Sequence, residues 1–128
     1  MLKRKTQNHN ENTRTDLRYR SYKYSVYIIK FLERLPNSRL YWVISDQLLR
    51  SATSIGANIM EAKSASSKKD FARFYDIALK SANETKYWIC LLRDTTNTDK
   101  EYLKQLLNES EGLSKMLGAS LLTMRNKR

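Results

Sequence analysis

The sequence predicts an all-α protein, an up-down-up-down antiparallel four-helix bundle. The 128 residues contain only three glycines and one proline, so few positions favour breaks in long helices. Apolar residues recur at helical spacing along most of the chain. The polar segments between these periodic stretches are short, which is typical of antiparallel neighbouring helices. The length fits one domain that can bury a core without disulfides.

The beginning of the chain is polar and shows no period, so we interpret residues 1–16 as a basic flexible arm. The bundle is predicted over residues 17–128, with a basic C-terminal end. Its first helix is predicted from Leu17 to Leu35, with Asp16 as the N-cap. The segment Pro-Asn-Ser after it predicts a turn. The apolar stripe predicted for this helix is Tyr22, Val26, Ile29 and Leu32 or the residue beside it.

The second helix is predicted from Arg39 to Lys63, with Asn37 or Ser38 as the N-cap. Its apolar stripe is Leu40, Ile44, Leu48, Ala52, Ile55, Ile59 and Ala62. A third helix follows the polar loop SASS, where Ser67 and an acidic residue three positions later resemble a capping box. Its stripe is Phe71, Phe74, Ala78, Ala82, Thr85, Ile89 and Leu92.

The segment TTNT separates the third helix from the fourth, which Thr98 or Asp99 can cap. The basic residues at its end suit the negative end of the helix dipole. Gly112 inside this helix would either kink it or allow close packing. The stripe of the fourth helix is Leu103, Leu106, Leu107, Leu113, Leu117, Leu121 and Met124.

The chain carries a formal net charge of +11, which points to polyanionic partners. Residues 1–16 contribute a net +2 and residues 125–128 contribute +3, which leaves +6 for the body. No apolar run approaches the roughly eighteen residues of a membrane span, so we expect no membrane association. Cys90, the only cysteine, has the apolar neighbours of a core position and fits a reducing, cytoplasmic location.

The residues do not suggest catalysis by the usual routes. His9 and Cys90 cannot supply the roughly four ligands of a zinc site, and a catalytic triad lacks a histidine in the predicted bundle. No glycine-rich phosphate loop occurs. We therefore expect a non-enzymatic protein without metal or cofactor. An enzyme that uses Glu61 or Glu84 for acid–base chemistry is the weakest of the function hypotheses, because no histidine accompanies them in the predicted bundle.

The second half of the second helix, RSATSIGANIMEAKS, nearly lacks charge in a chain that is 29% charged. A helix without a charged face is usually buried on most sides, so either loops or another subunit should cover it. The glycine costs about 1 kcal/mol relative to alanine, which close backbone contact would offset. We therefore predict packing against a neighbouring subunit. The candidate subunit-contact residues are Thr53, Gly56, Ala57 and Met60.

A polar stripe runs beside the apolar one on the same helix. We interpret it as part of a buried network that fixes how the helices pack, in preference to an acid–base site. The partners of Arg50 and Glu61 are left open among charged residues of the third helix. The predicted network consists of Arg50, Ser51, Ser54, Asn58, Glu61, Ser81 and Glu84.

The stretches QLLRSATSIGANIMEA and KKDFARFYDIALKSANETKYWI resemble the signature of a bacterial four-helix-bundle family. That family includes proteins encoded in intervening sequences of 23S rRNA genes and, more distantly, the accessory variability protein of diversity-generating retroelements. The resemblance spans about residues 19–122. It implies a homopentamer without known catalytic activity. For the retroelement relatives it implies a basic assembly that engages nucleic acid and a reverse transcriptase.

The candidate partner of the bundle is RNA or DNA, because basic residues accumulate at both ends of the chain and in the first helix. Tyrosines interleave with the basic residues of that helix, but we expect them mainly to flank the core. The alternative is a protein-interaction scaffold whose charge serves solubility. The nucleic-acid candidates are Lys3, Arg4, Lys5, Arg14, Arg18, Arg20, Lys23, Arg125, Lys127 and Arg128.

Overall fold

The computed structural model describes the backbone of residues 13–126 and the side chains of residues 17–126. The helices of this part are α1 (Thr13–Leu32), α2 (Arg39–Lys63), α3 (Lys68–Thr95) and α4 (Lys100–Asn126). Each helix packs on the next one in the chain, and α1 also packs on α4, which closes the bundle. Neighbouring helices run antiparallel, so the predicted fold class is confirmed.

Three helix starts follow from their capping residues. The Ser38 hydroxyl accepts a hydrogen bond from the Tyr41 amide before α2, and the Ser67 hydroxyl accepts one from the Asp70 amide before α3. At the start of α4, the Asp99 carboxylate accepts from the two amides at residues 101 and 102. These side chains satisfy amides that have no partner within the helix. Of the open alternatives, Ser38 and Asp99 are the caps.

Helix α1 differs from its prediction in bounds and in buried face. It runs from Thr13 to Leu32, so Asp16 lies inside the helix rather than at its N-cap. The predicted stripe is wrong in part, because Tyr22 and Ile29 are exposed. The buried face, turned by about one residue from that stripe, consists of Leu17, Ser21, Tyr24, Ile28 and Phe31.

The physical reason is that α1 carries apolar residues on all sides, so its pattern fits two rotations about the helix axis. Contact with α4 selects one of them: the buried Tyr24 hydroxyl donates to the Leu106 carbonyl at 2.9 Å, and the rings of Phe31 and Tyr102 lie 5.7 Å apart. Residues 1–12, most of the predicted arm, lie outside the described residues.

The predicted stripes of α2, α3 and α4 form most of the core. Leu40 is an exception, since it is exposed at the start of α2. Cys90, expected in the core, is only half-buried. No helix within residues 13–126 is long and apolar enough to cross a membrane. The buried apolar residues from these three helices are Leu48, Ala52, Ile55, Ile59, Ala62, Tyr75, Ala78, Ala82, Ile89, Leu92, Tyr102, Leu103, Leu106, Leu113, Leu117 and Leu121.

Candidate nucleic-acid interface and subunit contact

One end of the bundle gathers positive charge from three segments. The antiparallel arrangement places the start of α1, the end of α4 and the α2–α3 loop at the same end. Three lysines around that loop are exposed, and none forms an ion pair within the described residues. We call this surface the basic end and define it by Arg18, Lys63, Lys68, Lys69 and Arg125.

Of the predicted nucleic-acid candidates, only Arg18 and Arg125 have described side chains at the basic end. Arg18 is half-buried, and Arg125 is exposed with its guanidinium 3.3 Å from the Asp76 carboxylate, which offsets part of its charge. Arg14 belongs to the first turn of α1, where only the backbone is described. The remaining terminal candidates lie outside the described residues: Lys3, Arg4, Lys5, Lys127 and Arg128.

Arg20 is a structural residue in this arrangement. Its guanidinium donates to both carboxylate oxygens of Glu109 on α4, at 2.8 and 2.9 Å, and both side chains are only 25% exposed. A third contact joins the guanidinium to the Met116 sulfur. A bidentate pair of this kind is among the stronger ion pairs. The Arg20 guanidinium is therefore engaged between α1 and α4, and its role as a nucleic-acid contact stays a prediction.

Gly112 provides the space for this guanidinium. A Cβ atom at Gly112 would lie 2.9 Å from Nη2 of Arg20, closer than real Cβ contacts. Helix α4 continues from Lys100 to Asn126 through this position. Of the two alternatives for Gly112, close packing is therefore the one observed.

Lys23, another candidate, lies among the tyrosines of α1. Its ammonium is 6.0 Å from the centre of the Tyr19 ring and 5.6 Å from that of Tyr27. These distances are at the outer range of cation–π attraction. Lys23 is half-buried, so only part of its side chain can reach a ligand.

Sequence reasoning missed the three loop lysines at positions 63, 68 and 69. The signal was available, because they flank the loop SASS on both sides. In an up-down-up-down bundle of four helices, the middle loop lies at the same end as the start of the first helix and the end of the fourth. Topology combined with charge would therefore have identified Lys63, Lys68 and Lys69.

The four predicted subunit-contact residues line one open groove between α1 and α2. The groove has a volume of about 620 Å³ and mostly apolar walls. Met60 is 55% exposed and Tyr22, opposite it on α1, is 65% exposed. Large apolar side chains exposed together are typical of contact sites. We call this surface the α1–α2 groove; its lining is Arg18, Tyr19, Ser21, Tyr22, Ser25, Thr53, Gly56, Ala57 and Met60.

The close approach at Gly56 is between helices of the same chain. A Cβ atom there would lie 3.3 Å from the Ser21 hydroxyl and 3.5 Å from the Ser21 backbone. The glycine therefore brings α2 against α1 and forms the floor of the groove. Its cost in helix stability is offset within the subunit, whatever covers the groove.

Small hydroxyl groups connect α2 to α3 inside the bundle. Thr85 donates to the buried Ser51 hydroxyl at 3.0 Å, and Ser81 donates to the Ser54 hydroxyl at 2.9 Å. The Asn58 amide donates to the same Ser54 hydroxyl at 3.0 Å. Within the described residues, every buried side-chain nitrogen and oxygen has a partner. Four of the predicted network residues therefore lie together, and Thr85 joins them.

The charged members of the predicted network lie apart from these hydroxyl groups. Arg50 donates to Glu84 at 2.5 Å and to Gln47 at 2.9 Å, and the Trp88 indole donates to Glu84 at 2.9 Å. The Arg50 side chain is 58% exposed, so this is a surface ion pair of small expected stability.

Glu61 does not belong to the network. It is exposed and makes no side-chain hydrogen bond or ion pair within residues 17–126. Glu84 pairs with Arg50, which lies eleven residues before Glu61, or roughly 16 Å along α2. The two carboxylates therefore do not form the pair that the sequence allowed.

Replacing the buried Thr85 with valine is expected to lower the free energy of unfolding by about 1 kcal/mol. The substitution keeps the shape but removes the buried hydroxyl, which lies 3.0 Å from the Ser51 hydroxyl and 2.8 Å from the Ser81 carbonyl and donates its one proton to either. The matched control is Thr95→Val, since the exposed Thr95 hydroxyl makes the same bond to the fourth residue before it. Urea unfolding followed by circular dichroism measures both; equal losses would contradict a specific role for the buried hydroxyl.

Metal ligation has no support among the described residues. Within residues 17–126, no group of three or more histidine, cysteine, aspartate or glutamate side chains is placed to hold a metal ion. The polar groups that do converge are hydroxyls and ion pairs that already have partners.

Comparison with known proteins identifies the family of the chain and a similar solved structure. The family model described as "23S rRNA-intervening sequence protein" matches residues 14–119. A crystal structure from Bacteroides thetaiotaomicron VPI-5482, a protein of unknown function from the S23 ribosomal protein family, is 38% identical. It covers 86% of this chain and 98% of its own, with a TM-score of 0.80. None of the curated proteins matches.

Proposed function

Because the chain belongs to the 23S rRNA-intervening sequence protein family, we propose that it is a non-enzymatic, homo-oligomeric bundle that binds RNA or DNA. The observation that carries the proposal is the basic end, where three lysines of the α2–α3 connection, without an ion pair in the described part of the chain, join basic residues of α1 and α4. Phosphate contacts from such residues supply most of the sequence-independent affinity of nucleic-acid-binding proteins.

The positions of these lysines support contact with a phosphate backbone. Lys63 ends α2, while Lys68 and Lys69 begin α3, so the three side chains lie around one polar connection. Two nearby carboxylates are already paired, Asp70 with Arg73 and Asp76 with Arg125. Glu61, exposed one half-turn before Lys63, offsets part of the charge, and three lysines outweigh this one carboxylate. The surface therefore keeps exposed cations at the end of the bundle where α1 begins and α4 ends.

Substitution of all three lysines by glutamine tests the proposal. We expect wild-type protein to bind fluorescein-labelled RNA and DNA at low salt, with affinity that falls steeply as salt rises. The triple variant Lys63→Gln, Lys68→Gln, Lys69→Gln should bind about tenfold more weakly and show a smaller salt slope. Fluorescence anisotropy at two salt concentrations measures both quantities.

The matched control removes three positive charges elsewhere, at the exposed lysines Lys80, Lys104 and Lys115. Equal losses in both triple variants would show that only net charge matters and would contradict a role for the basic end. Absence of binding by the wild-type protein even at low salt would refute nucleic-acid binding. The protein-interaction scaffold would then become the leading hypothesis.

Self-assembly through the α1–α2 groove is the second part of the proposal. The groove exposes Tyr22 and Met60 on one surface, and such side chains are usually covered by a partner. Five copies would carry a formal charge of +55, five times the +11 of one chain, which would strengthen attraction of polyanions. A wild-type mass of 15.1 kDa in light scattering at micromolar concentration would refute assembly.

A further inference from the structure

A second pocket lies at the other end of the bundle, between the last turns of α1 and the first turn of α4. It has a volume of about 340 Å³ and is lined by Tyr27, Lys30, Arg34 and Tyr102. We call it the tyrosine pocket. Its volume is near the lower limit of about 300 Å³ for small-ligand sites, which suits one nucleotide unit.

The cations of the tyrosine pocket have no carboxylate partner among the described residues. Lys30 and Arg34 are exposed, and neither forms an ion pair there. The acidic residues closest in sequence, Glu33 and Glu101, are exposed and equally unpaired. The arrangement differs from Arg20 and Arg50, whose guanidinium groups are already occupied by glutamates.

The two aromatic side chains of the pocket differ in exposure. Tyr102 is nearly buried, with its ring 5.7 Å from Phe31 on one side and 5.0 Å from the Arg34 guanidinium on another. Burial raises the pKa of Tyr102, so its hydroxyl stays neutral and does not repel an anion. Tyr27 is only half-buried and can present its ring to a ligand.

We propose that the tyrosine pocket binds one nucleotide of a single-stranded nucleic acid, with the base against Tyr27 and the phosphate between Lys30 and Arg34. Single-strand binders combine aromatic rings that stack on bases with cations that follow the backbone. In a duplex the bases are already stacked on each other, so the tyrosine gains nothing there. The inference rests on the proposed function and adds a preference for unpaired strands.

The alternative occupants suit the pocket less well. An acidic peptide would pair with Lys30 and Arg34 but would leave the ring of Tyr27 unused. A purely apolar ligand would cover two exposed cations without a partner for either, which costs free energy. A nucleotide satisfies the ring and the cations together.

The test compares a fluorescein-labelled single strand, as RNA and as DNA, with the same strand annealed to its complement. We expect Tyr27→Ala to weaken single-strand binding about tenfold, while Tyr27→Phe binds like wild type because it keeps the ring. The pair Lys30→Gln, Arg34→Gln should show a similar loss. Duplex binding should change less than about twofold in Tyr27→Ala.

The matched control is the double variant Lys80→Gln, Lys115→Gln, which removes the same charge from exposed sites on α3 and α4. Lys115 lies about 20 Å from Tyr102 along α4. Thermal melting of each variant by circular dichroism establishes whether it is folded. Because Arg34→Gln also removes the guanidinium contact with the Tyr102 ring, Lys30→Gln alone serves as the variant that leaves this contact in place. Unlabelled AMP is titrated in parallel, and binding of AMP tighter than that of the strand would overturn the assignment to a strand.

Each outcome separates this inference from the proposed function. If the pocket variants bind like their control while the basic-end triple variant loses affinity, the pocket inference is wrong and the proposed function stands. If the pocket variants lose single-strand and duplex affinity equally, Lys30 and Arg34 act only through net charge. That result would overturn stacking of a base on Tyr27. If wild-type protein binds neither form at low salt, both proposals fail.

Discussion

If the chain assembles through the α1–α2 groove as we propose, a charged residue at Ala57 is expected to leave the subunit folded but to dissociate the oligomer. Ala57 is exposed on α2 and lines the α1–α2 groove, so its substitution need not disturb the core. In an assembly that covers the groove, the new charge would be buried without a partner, at a cost of several kcal/mol per contact. The mass in light scattering should fall from that of the assembly, about 75 kDa for five copies, to 15.1 kDa.

Two variants of opposite charge make this test specific. Arg18 lines the same groove and could pair with an aspartate, whereas Glu61 lies one turn further along α2 and could pair with an arginine. If burial of a charge of either sign causes dissociation, both Ala57→Asp and Ala57→Arg should dissociate the oligomer. Dissociation by only one of them would instead indicate a local charge pair. The matched controls are Ala119→Asp and Ala119→Arg on the exposed face of α4. Retention of the wild-type mass by both Ala57 variants would exclude this groove as the subunit contact.

Removal of the Arg20 guanidinium should produce the largest loss of stability among the ion pairs described. In Arg20→Leu, the Glu109 carboxylate keeps its 25% exposed position but loses both hydrogen bonds to the guanidinium. Exposed pairs contribute up to about 1 kcal/mol, and removal of one partner from a buried pair costs about 3–5 kcal/mol. For this half-buried pair we expect the free energy of unfolding to fall by about 2 kcal/mol.

Chemical unfolding at one fixed protein concentration measures this loss, because subunit association would otherwise change the apparent stability. Arg73→Leu is the matched control, since Arg73 pairs with Asp70 on the surface; its expected cost is below about 1 kcal/mol. The double variant Arg20→Leu, Glu109→Leu should recover most of the loss, because it leaves no unpaired carboxylate. A cost for Arg20→Leu no larger than that for Arg73→Leu would show that the pair adds nothing beyond an ordinary surface contact.

Much of the fold can be predicted from two local signals in the sequence, helix-capping residues and apolar periodicity. Ser38 and Ser67 cap helices at positions where polar residues precede an apolar period, and the structure has both caps. The α1 face was mispredicted because its apolar residues surround the helix, so the choice between Tyr22 and Tyr24 depends on α4, about 80 residues away. Periodicity within one helix cannot contain that information.

In the candidate sites, too, contacts signalled within one helix could be predicted, and contacts between residues distant in sequence could not. The hydroxyl pairs between α2 and α3 could be anticipated because small polar residues form one stripe on α2. Arg20 was assigned to a nucleic-acid surface because nothing near it in sequence reveals Glu109 as its partner. The tyrosine pocket was missed because Tyr27 and Tyr102 belong to helices at opposite ends of the sequence.

The contact between Arg20 and Gly112 has a consequence for how this protein can change over evolution. A methyl group at position 112 would occupy the space that the guanidinium needs, and a shorter residue at position 20 would leave Glu109 without its partner. The atom in the way is the far end of a flexible side chain, so alanine at position 112 would require the Arg20 guanidinium to shift and its geometry with Glu109 to change. We therefore expect substitutions at positions 20, 109 and 112 to influence one another, because all three meet at one crossing of α1 and α4.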